Sequence, residues 1–355
     1  MTLDQPTLEI DLNAIEKNYA YLQRACPAEC GAVVKADAYG LGAERIAKFL
    51  ASTGCRSFFV ATKHEGVTLR KTLRDATIYV LSGTARGEEA TFLDHQLTPV
   101  LNTLDELTRW AAVNPPPGAA VHIDTGLNRL GLDRLETAAL VNRPELIKAT
   151  GVEILLTHFA FADAPDHPMN AEQLQRFKSV HENFPKLRTS IGNSAGLLNG
   201  PESAGDLARP GIGLYGGNPF SAKPNPMSPV VRLLAPIVQI KHLQKGDTVG
   251  YGGLYRAETN MRIGGLAIGY ADGIPRNLSA DARVFVDGVA CKILGRISMD
   301  TIVVDLSDPH LDKLAPGQPA EFIGATTLDQ FSVWENTFSY ETLTSLGNRI
   351  KRIHK

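Results

Sequence analysis

Ala32-Val-Val-Lys-Ala-Asp-Ala-Tyr-Gly-Leu-Gly42 is the stretch that decides the fold. Its first four residues are a short apolar run ending on Lys35, and Ala43–Leu50 just beyond it carries helical periodicity. That is a strand, a turn and a helix. The same alternation recurs outward along the chain. Strands are expected at Ser57–Ala61, Thr77–Leu81, Leu97–Leu101, Ala119–Asp124, Val152–Thr157, Arg188–Gly192 and Pro210–Tyr215. Between them lie the amphipathic stretches His64–Arg74, Leu104–Ala112, Leu135–Val141 and Ala171–Asn183, with a loop at 114–118. Eight such βα units predict an α/β fold, a closed (β/α)8 TIM barrel.

The character of the sequence changes after the proline-rich stretch from Pro219 to Pro229. Runs at Ile237–Ile240, Ile263–Ile268, Val284–Val286, Cys291–Leu294 and Ile302–Val304 follow, punctuated by glycine turns. Asp287-Gly288 reads as a hairpin turn, and one helix is expected near Thr327–Trp334. The boundary falls near Ser228, giving a barrel over 1–228 and a mainly β C-terminal domain over 229–355.

At 355 residues, 43% hydrophobic and 21% charged, with a formal net charge of −2, the composition is that of an ordinary globular protein. It offers no global field for nucleic acid or an anionic membrane, so a phosphate-bearing ligand needs local positive groups. No apolar run is long enough to span a bilayer. The polar start of the chain lacks a secretory signal pattern, which leads to an expectation of a cytoplasmic location. Cys26, Cys30, Cys55 and Cys291 are scattered, so reduced thiols are expected. The Cys26/Cys30 spacing hints at metal, but no second pair or nearby histidines complete a site.

The chemically able residues fall at the ends of the expected strands. Lys35 ends the first, Arg129 follows the fifth, His158 ends the sixth, Asn193-Ser194 end the seventh, and Arg209 and Gly211 sit at the eighth. A TIM barrel gathers such ends on one rim, with phosphate commonly held after strands seven and eight. Lys35 is either a solvated amine or a desolvated Schiff-base nucleophile. Gly211, Gly213 and Gly216 spell a formal G-x-G-x-x-G. No helix follows in a βαβ unit, so a dinucleotide site is rejected, although the glycines still allow close approach to a phosphate. Ser194 can add its hydroxyl. His158 suits a ring packed on a cofactor or a core histidine, and Arg129 suits a surface ion pair or a substrate carboxylate. Tyr251 lies in the glycine turn Val249-Gly-Tyr-Gly-Gly253.

Taken in order, eight segments resemble the alanine racemase family almost end to end. They are Val33–Gly40, Asp124–Gly131, Thr157–Ala160, Asn193–Ala195, Arg209–Gly216, Val249–Gly252, Ala267–Gly273 and Gly295–Asp300. The resemblance implies a pyridoxal 5′-phosphate (PLP) isomerase that interconverts L- and D-alanine, as a homodimer with shared sites. The resemblance further implies a role in D-alanine supply for peptidoglycan or in alanine catabolism. Lys35 matches the lysine bonded to the cofactor. Tyr39, Asn193, Ser194, Gly211, Ile212 and Tyr215 match or neighbour its phosphate-binding positions. His158 matches the histidine near the pyridine ring, and Arg209 the arginine bonded to the pyridine nitrogen. Arg129 matches an arginine near the substrate carboxylate.

Tyr251 matches the catalytic tyrosine, and Met299 a residue whose backbone N–H helps hold the carboxylate; both are implied to enter from the partner subunit. Tyr270 matches a tyrosine of the access channel. Lys35 and Tyr251 are then the two bases, one on each face of the substrate. Two positions depart from the family pattern: His122 stands where many members carry a carbamylated lysine, and Asn348 where some carry a phosphate-binding tyrosine. PLP-dependent decarboxylases share the two-domain plan, but their cysteine-containing motif is replaced here by Gly295-Arg-Ile-Ser-Met-Asp300. A cofactor-buffering barrel would lack the β domain. A racemase of serine or of broad specificity is the nearest alternative.

Overall fold

The computed structural model describes residues 2–113 and 118–355; the expected loop at 114–118 lies largely outside them. The chain divides into two compact units. One comprises residues 16–214 and 218–227, the other residues 2–15, 215–217 and 228–355.

The first unit is a TIM-like barrel. Seven parallel strands follow one another in chain order: Ala32–Val33, Ser57–Val60, Thr77–Val80, Leu97–Leu101, Ala119–His122, Val152–Leu156 and Arg188–Ser190. Their residues are almost all buried, as expected for a parallel sheet covered on both faces. An eighth strand, Leu207–Ala208, closes the ring. It pairs with Glu29–Cys30, and the Arg209 amide donates to Gly192 O at 2.7 Å on the other side.

The expected eighth strand at Pro210–Tyr215 is therefore displaced by several residues, and Ile212–Tyr215 is a 3-10 turn instead. Pro210 has no N–H to give to a ladder. The amides of Gly211 and Gly213 go to the Ser194 hydroxyl, while Pro210 O accepts from the Val33 amide at 2.9 Å. The other strand positions stand as expected, each ending one to two residues earlier or, for Leu97–Leu101, at the same residues.

Helices connect the strands where the periodicity placed them. Lys63–Thr72 begins on a capping box, in which Thr62 Oγ1 accepts the Glu65 amide and the Glu65 carboxylate accepts the Thr62 amide. Pro168–His181 starts with proline in its first turn, where no intrahelical N–H is needed. The chain after Lys35 behaves differently. Ala36, Asp37, Ala38 and Tyr39 have φ of 50–59° and ψ of 37–50°, one turn of left-handed helix. This costs L-residues on the order of 1–2 kcal/mol each. Compensating bonds run from the Ala38 amide to Val34 O, from the Gly42 amide to Asp37 O and from the Ala36 amide to Glu65 Oε1 at 2.8 Å.

The second unit is built on an eight-stranded, mostly antiparallel sheet. The long strand Val231–Leu243 runs antiparallel to Met261–Leu266, Pro319–Ile323 and Thr7–Ile10. The Asp287-Gly288 hairpin is present, pairing Val286 with Val289, with φ of 48° and 80° at its two central residues. That is the type I′ signature. The expected helix is Leu328–Trp334, capped by Thr327, and a second helix, Ser339–Ser345, follows it. Among the described residues no helix is long and apolar enough to cross a membrane.

Candidate active site

Within the barrel, Lys35, Arg129, His158, Ser194 and Arg209 all follow the C-terminal ends of strands. Arg209 is the hub. It is almost wholly buried, and burial pushes its guanidinium down to about 9, so it remains charged at neutral pH. Nη1 donates to Ser190 Oγ at 2.6 Å. Nη2 donates to Thr157 O at 2.8 Å and Ile191 O at 3.3 Å, and to His158 Nδ1 at 3.3 Å. Because Arg209 can only donate, His158 accepts through Nδ1 and carries its proton on Nε2. Burial, then the charges of Arg209 and Arg129, drive the His158 pKa far down. This histidine is a neutral ring.

Lys35 follows the first strand. Its amine is lowered below the ordinary lysine range, first by burial and then by the charges of Arg129 and Arg209, against an opposing pull from Glu65. A lysine so treated is more often a free amine, the form that attacks a carbonyl. The left-handed turn after it buries Tyr39. A Cβ added to Gly211 would run into the Tyr39 hydroxyl, so glycine is needed there by space rather than by backbone angle. Beside it, Ser194 Oγ accepts the Gly211 amide at 2.9 Å and the Gly213 amide at 3.1 Å. These amides converge on one oxygen, as they would on an oxygen of a phosphate. Asn193 is committed locally: its Oδ1 accepts the Gly196 amide at 2.8 Å and caps the helix Ser194–Leu198. Ile212 and Tyr215 begin and end the adjacent 3-10 turn, and both are buried.

Arg129 is exposed. His122 is buried, with Nδ1 3.0 Å from Asn102 Oδ1. Asn102 Nδ2 donates to Leu81 O and Val100 O, so its oxygen is free to accept and His122 Nδ1 must donate. Burial, then Arg209, lower His122 to about 4. A neutral, oriented imidazole thus stands where a carbamate was the family's pattern. Residues that sequence reasoning missed brace the site. Gln173, fully buried, donates to His158 O and to Thr125 Oγ1, both at 3.0 Å, and accepts the Ala160 amide. Ser190 and Thr157 hold Arg209. No periodicity marks such polar residues; only the folded partners reveal them.

The second unit presents three more of the expected residues on its surface. Tyr251 is 72% exposed, Met299 52% and Tyr270 42%. Tyr251 begins a 3-10 turn flanked by Gly250 and Gly252, whose φ values of 73° and 76° need glycine. Tyr270 and Met299 lie on two loops locked edge to edge. The Tyr270 amide donates to Ser298 O at 3.1 Å and the Ala271 amide to Met299 O at 3.0 Å. Asp272, fully buried, accepts the Gly269 amide and takes both Nε and Nη2 of Arg349, whose Nη1 reaches Asp300 at 2.7 Å. Asn348, just before Arg349, is exposed.

The chain is similar to known proteins along nearly its whole length. The alanine racemase N-terminal domain matches residues 10–219 and the alanine racemase C-terminal domain residues 230–354. An alanine racemase of Acidiphilium cryptum is 46% identical over 99% of both chains. A catabolic alanine racemase of Agrobacterium fabrum is 42% identical over 97% of this chain and 91% of its own. The crystal structure of alanine racemase from Bartonella henselae with covalently bound pyridoxal phosphate superposes with a TM-score of 0.94 at 37% identity. It covers 99% of this chain and 100% of that one. With both domain families matched in order and relatives this close over the full length, the chain belongs to the alanine racemase family.

Proposed function

We propose that this protein interconverts L- and D-alanine using pyridoxal 5′-phosphate held by Lys35 at the barrel rim. The observation that carries the reading is the partly buried Lys35 at the end of the first barrel strand, on the rim that also holds the buried Arg209 and its His158 partner. The residues present fit the cofactor. Nζ of Lys35 would hold the cofactor covalently, and the Gly211 and Gly213 amides with Ser194, Tyr39, Ile212 and Tyr215 would cradle its phosphate. His158 would pack against its ring, and Arg209 would hold its ring nitrogen. When bound, the cofactor supplies an electron sink for the negative charge left at Cα.

The chain's own groups decide the rest. Arg209 stays protonated and can only donate, so it would keep a ring nitrogen held against it unprotonated. Arg129 suits the substrate carboxylate through charge-assisted bonds, with the Met299 amide as a second donor and Tyr270 lining the approach. Inverting Cα requires one proton to leave from one face and another to arrive on the opposite face. Lys35 serves the D face and Tyr251, from a second copy of the chain, serves the L face. The exposure of Tyr251, Met299 and Tyr270 supports a homodimer in which each copy completes the other's site. The reading places this enzyme in the cytosol.

Borohydride reduction of PLP-loaded protein, followed by peptide mapping, tests the attachment. The pyridoxyl group is expected on the peptide containing Lys35. Its appearance on another lysine would overturn the assignment.

A further inference from the structure

Lys35 and Tyr39 stand at the two ends of one short turn, and a carboxylate braces that turn on either side. The Val34 amide makes the last ladder bond of the first strand, to Phe59 O at 2.9 Å. One residue past Lys35 the backbone leaves the ladder for the left-handed turn Ala36–Tyr39. L-residues resist that conformation, because Cβ crowds the following carbonyl. Such a turn persists only where its surroundings over-determine it. Asp37 Oδ1 secures the far side, accepting the Ala43 amide at 2.7 Å. The near side depends on Glu65.

Glu65 does more than a capping box asks. In that motif the third residue of the helix reaches back to one amide, here that of Thr62 at 3.1 Å. The same oxygen, Oε2, also accepts the Ala61 amide at 2.7 Å, just past the second strand. Oε1 crosses to the end of the first strand and accepts the Ala36 amide at 2.8 Å. One side chain thus ties together the ends of two neighbouring strands and the first residue of the left-handed turn. A carboxylate suits the task because both of its oxygens accept, whereas an amide offers only one. The other end of the turn is also committed. Tyr39 is buried, and its hydroxyl fills the space that a side chain at Gly211 would need.

We propose that Glu65 is a positioning residue that keeps Lys35 and Tyr39 in register, so that one turn can hold both ends of the cofactor. The inference rests on the reading that Lys35 bonds the cofactor and Tyr39 borders its phosphate. Glu65 acts through the backbone of Ala36 and needs no contact with the cofactor itself. Without the Ala36 bond the turn can relax toward negative φ and carry the Tyr39 ring away from Gly211. Lys35 stays tethered to its strand by the Val34 bond. The loss therefore falls mainly on the phosphate end.

The test measures the affinity of cofactor-stripped, full-length protein for PLP and for pyridoxal, which lacks the phosphate. In Glu65→Ala the preference for PLP over pyridoxal is expected to fall about tenfold. A general loss of folded protein would weaken both ligands alike and leave that ratio unmoved. Adding Ala36→Gly, at an exposed position where glycine accepts positive φ freely, should return part of the preference. If Glu65→Ala fails to fold, Glu65→Asp takes its place with the same expectation: it keeps the charge but is one methylene short of Ala36. An unchanged ratio, or a fall that Ala36→Gly does not relieve, overturns the proposal. A wild type with no preference for PLP overturns the functional reading on which it rests, and the proposal with it.

Discussion

Arg209 is where charge and chemistry meet most directly, because a group that only donates faces the site from a buried position. Arg209→Glu should let a facing ring nitrogen hold a proton, and the pyruvate formed per racemisation turnover should rise. Unchanged partitioning, measured by coupled pyruvate detection, would contradict that role. Gly211 makes a second residue-scale case: in Gly211→Ala the new methyl must push the Tyr39 hydroxyl aside. PLP affinity is expected to fall about tenfold or more, equivalent to roughly 1.4 kcal/mol. An unchanged dissociation constant would show that the cradle lies elsewhere. Lys35 was legible in the sequence because a lysine closing an apolar strand is out of place. Gln173, Ser190 and Asn102 were not, because a polar side chain buried by its partners looks like any surface residue until those partners are known.

At the scale of elements, the barrel strands were readable from short apolar runs alternating with helical periodicity, and the Asp287-Gly288 hairpin from its dipeptide alone. The eighth strand was not, since the apolar run Ile212–Tyr215 carries its amides to a serine and a turn rather than to a ladder. The left-handed turn at Ala36–Tyr39 was equally silent: Ala-Asp-Ala-Tyr carries no glycine to favour positive φ, and bonds to Val34, Glu65, Leu41, Gly42 and Ala43 help hold it. In the second unit, Arg349 binds Asp272 and Asp300 and so ties together the loops bearing Tyr270 and Met299. Arg349→Ala should raise KM for alanine more than it lowers kcat, with Arg349→Lys restoring it only in part because a bidentate fork is lost. Equal effects on both constants would argue against a positioning role.

The helix pair Leu328–Trp334 and Ser339–Ser345 flanks Glu335, whose carboxyl burial pushes up to about 7. A raised folded pKa means the folded state binds this proton more tightly. Its stabilising contribution is full below the ordinary carboxylate range and is lost as pH rises through about 7. Glu335→Gln should therefore gain on the order of 1–3 kcal/mol over wild type at about pH 8 and little at about pH 4. Parallel pH profiles in denaturant melts would contradict this.

For the whole molecule, the division into a barrel and a β unit follows the change of sequence character after the proline-rich stretch. The membership of residues 2–15 in the second unit does not, because the strand Thr7–Ile10 finds its partners more than 200 residues away, at Val231–Leu234. Shared sites make a prediction of their own. Lys35→Ala and Tyr251→Phe should each be inactive alone, and co-refolding them should restore about a quarter of wild-type activity, since half the dimers carry one intact site. No recovery would mean that each chain completes its own site. The central claim is tested most directly by following L-alanine with purified, PLP-loaded protein on a chiral column, with Lys35→Ala alongside. D-alanine formed by the wild type up to a racemic mixture, and absent with Lys35→Ala, is the expected result. A yellow, PLP-binding protein that leaves L-alanine unchanged, or a Lys35→Ala variant as active as the wild type, would contradict the account.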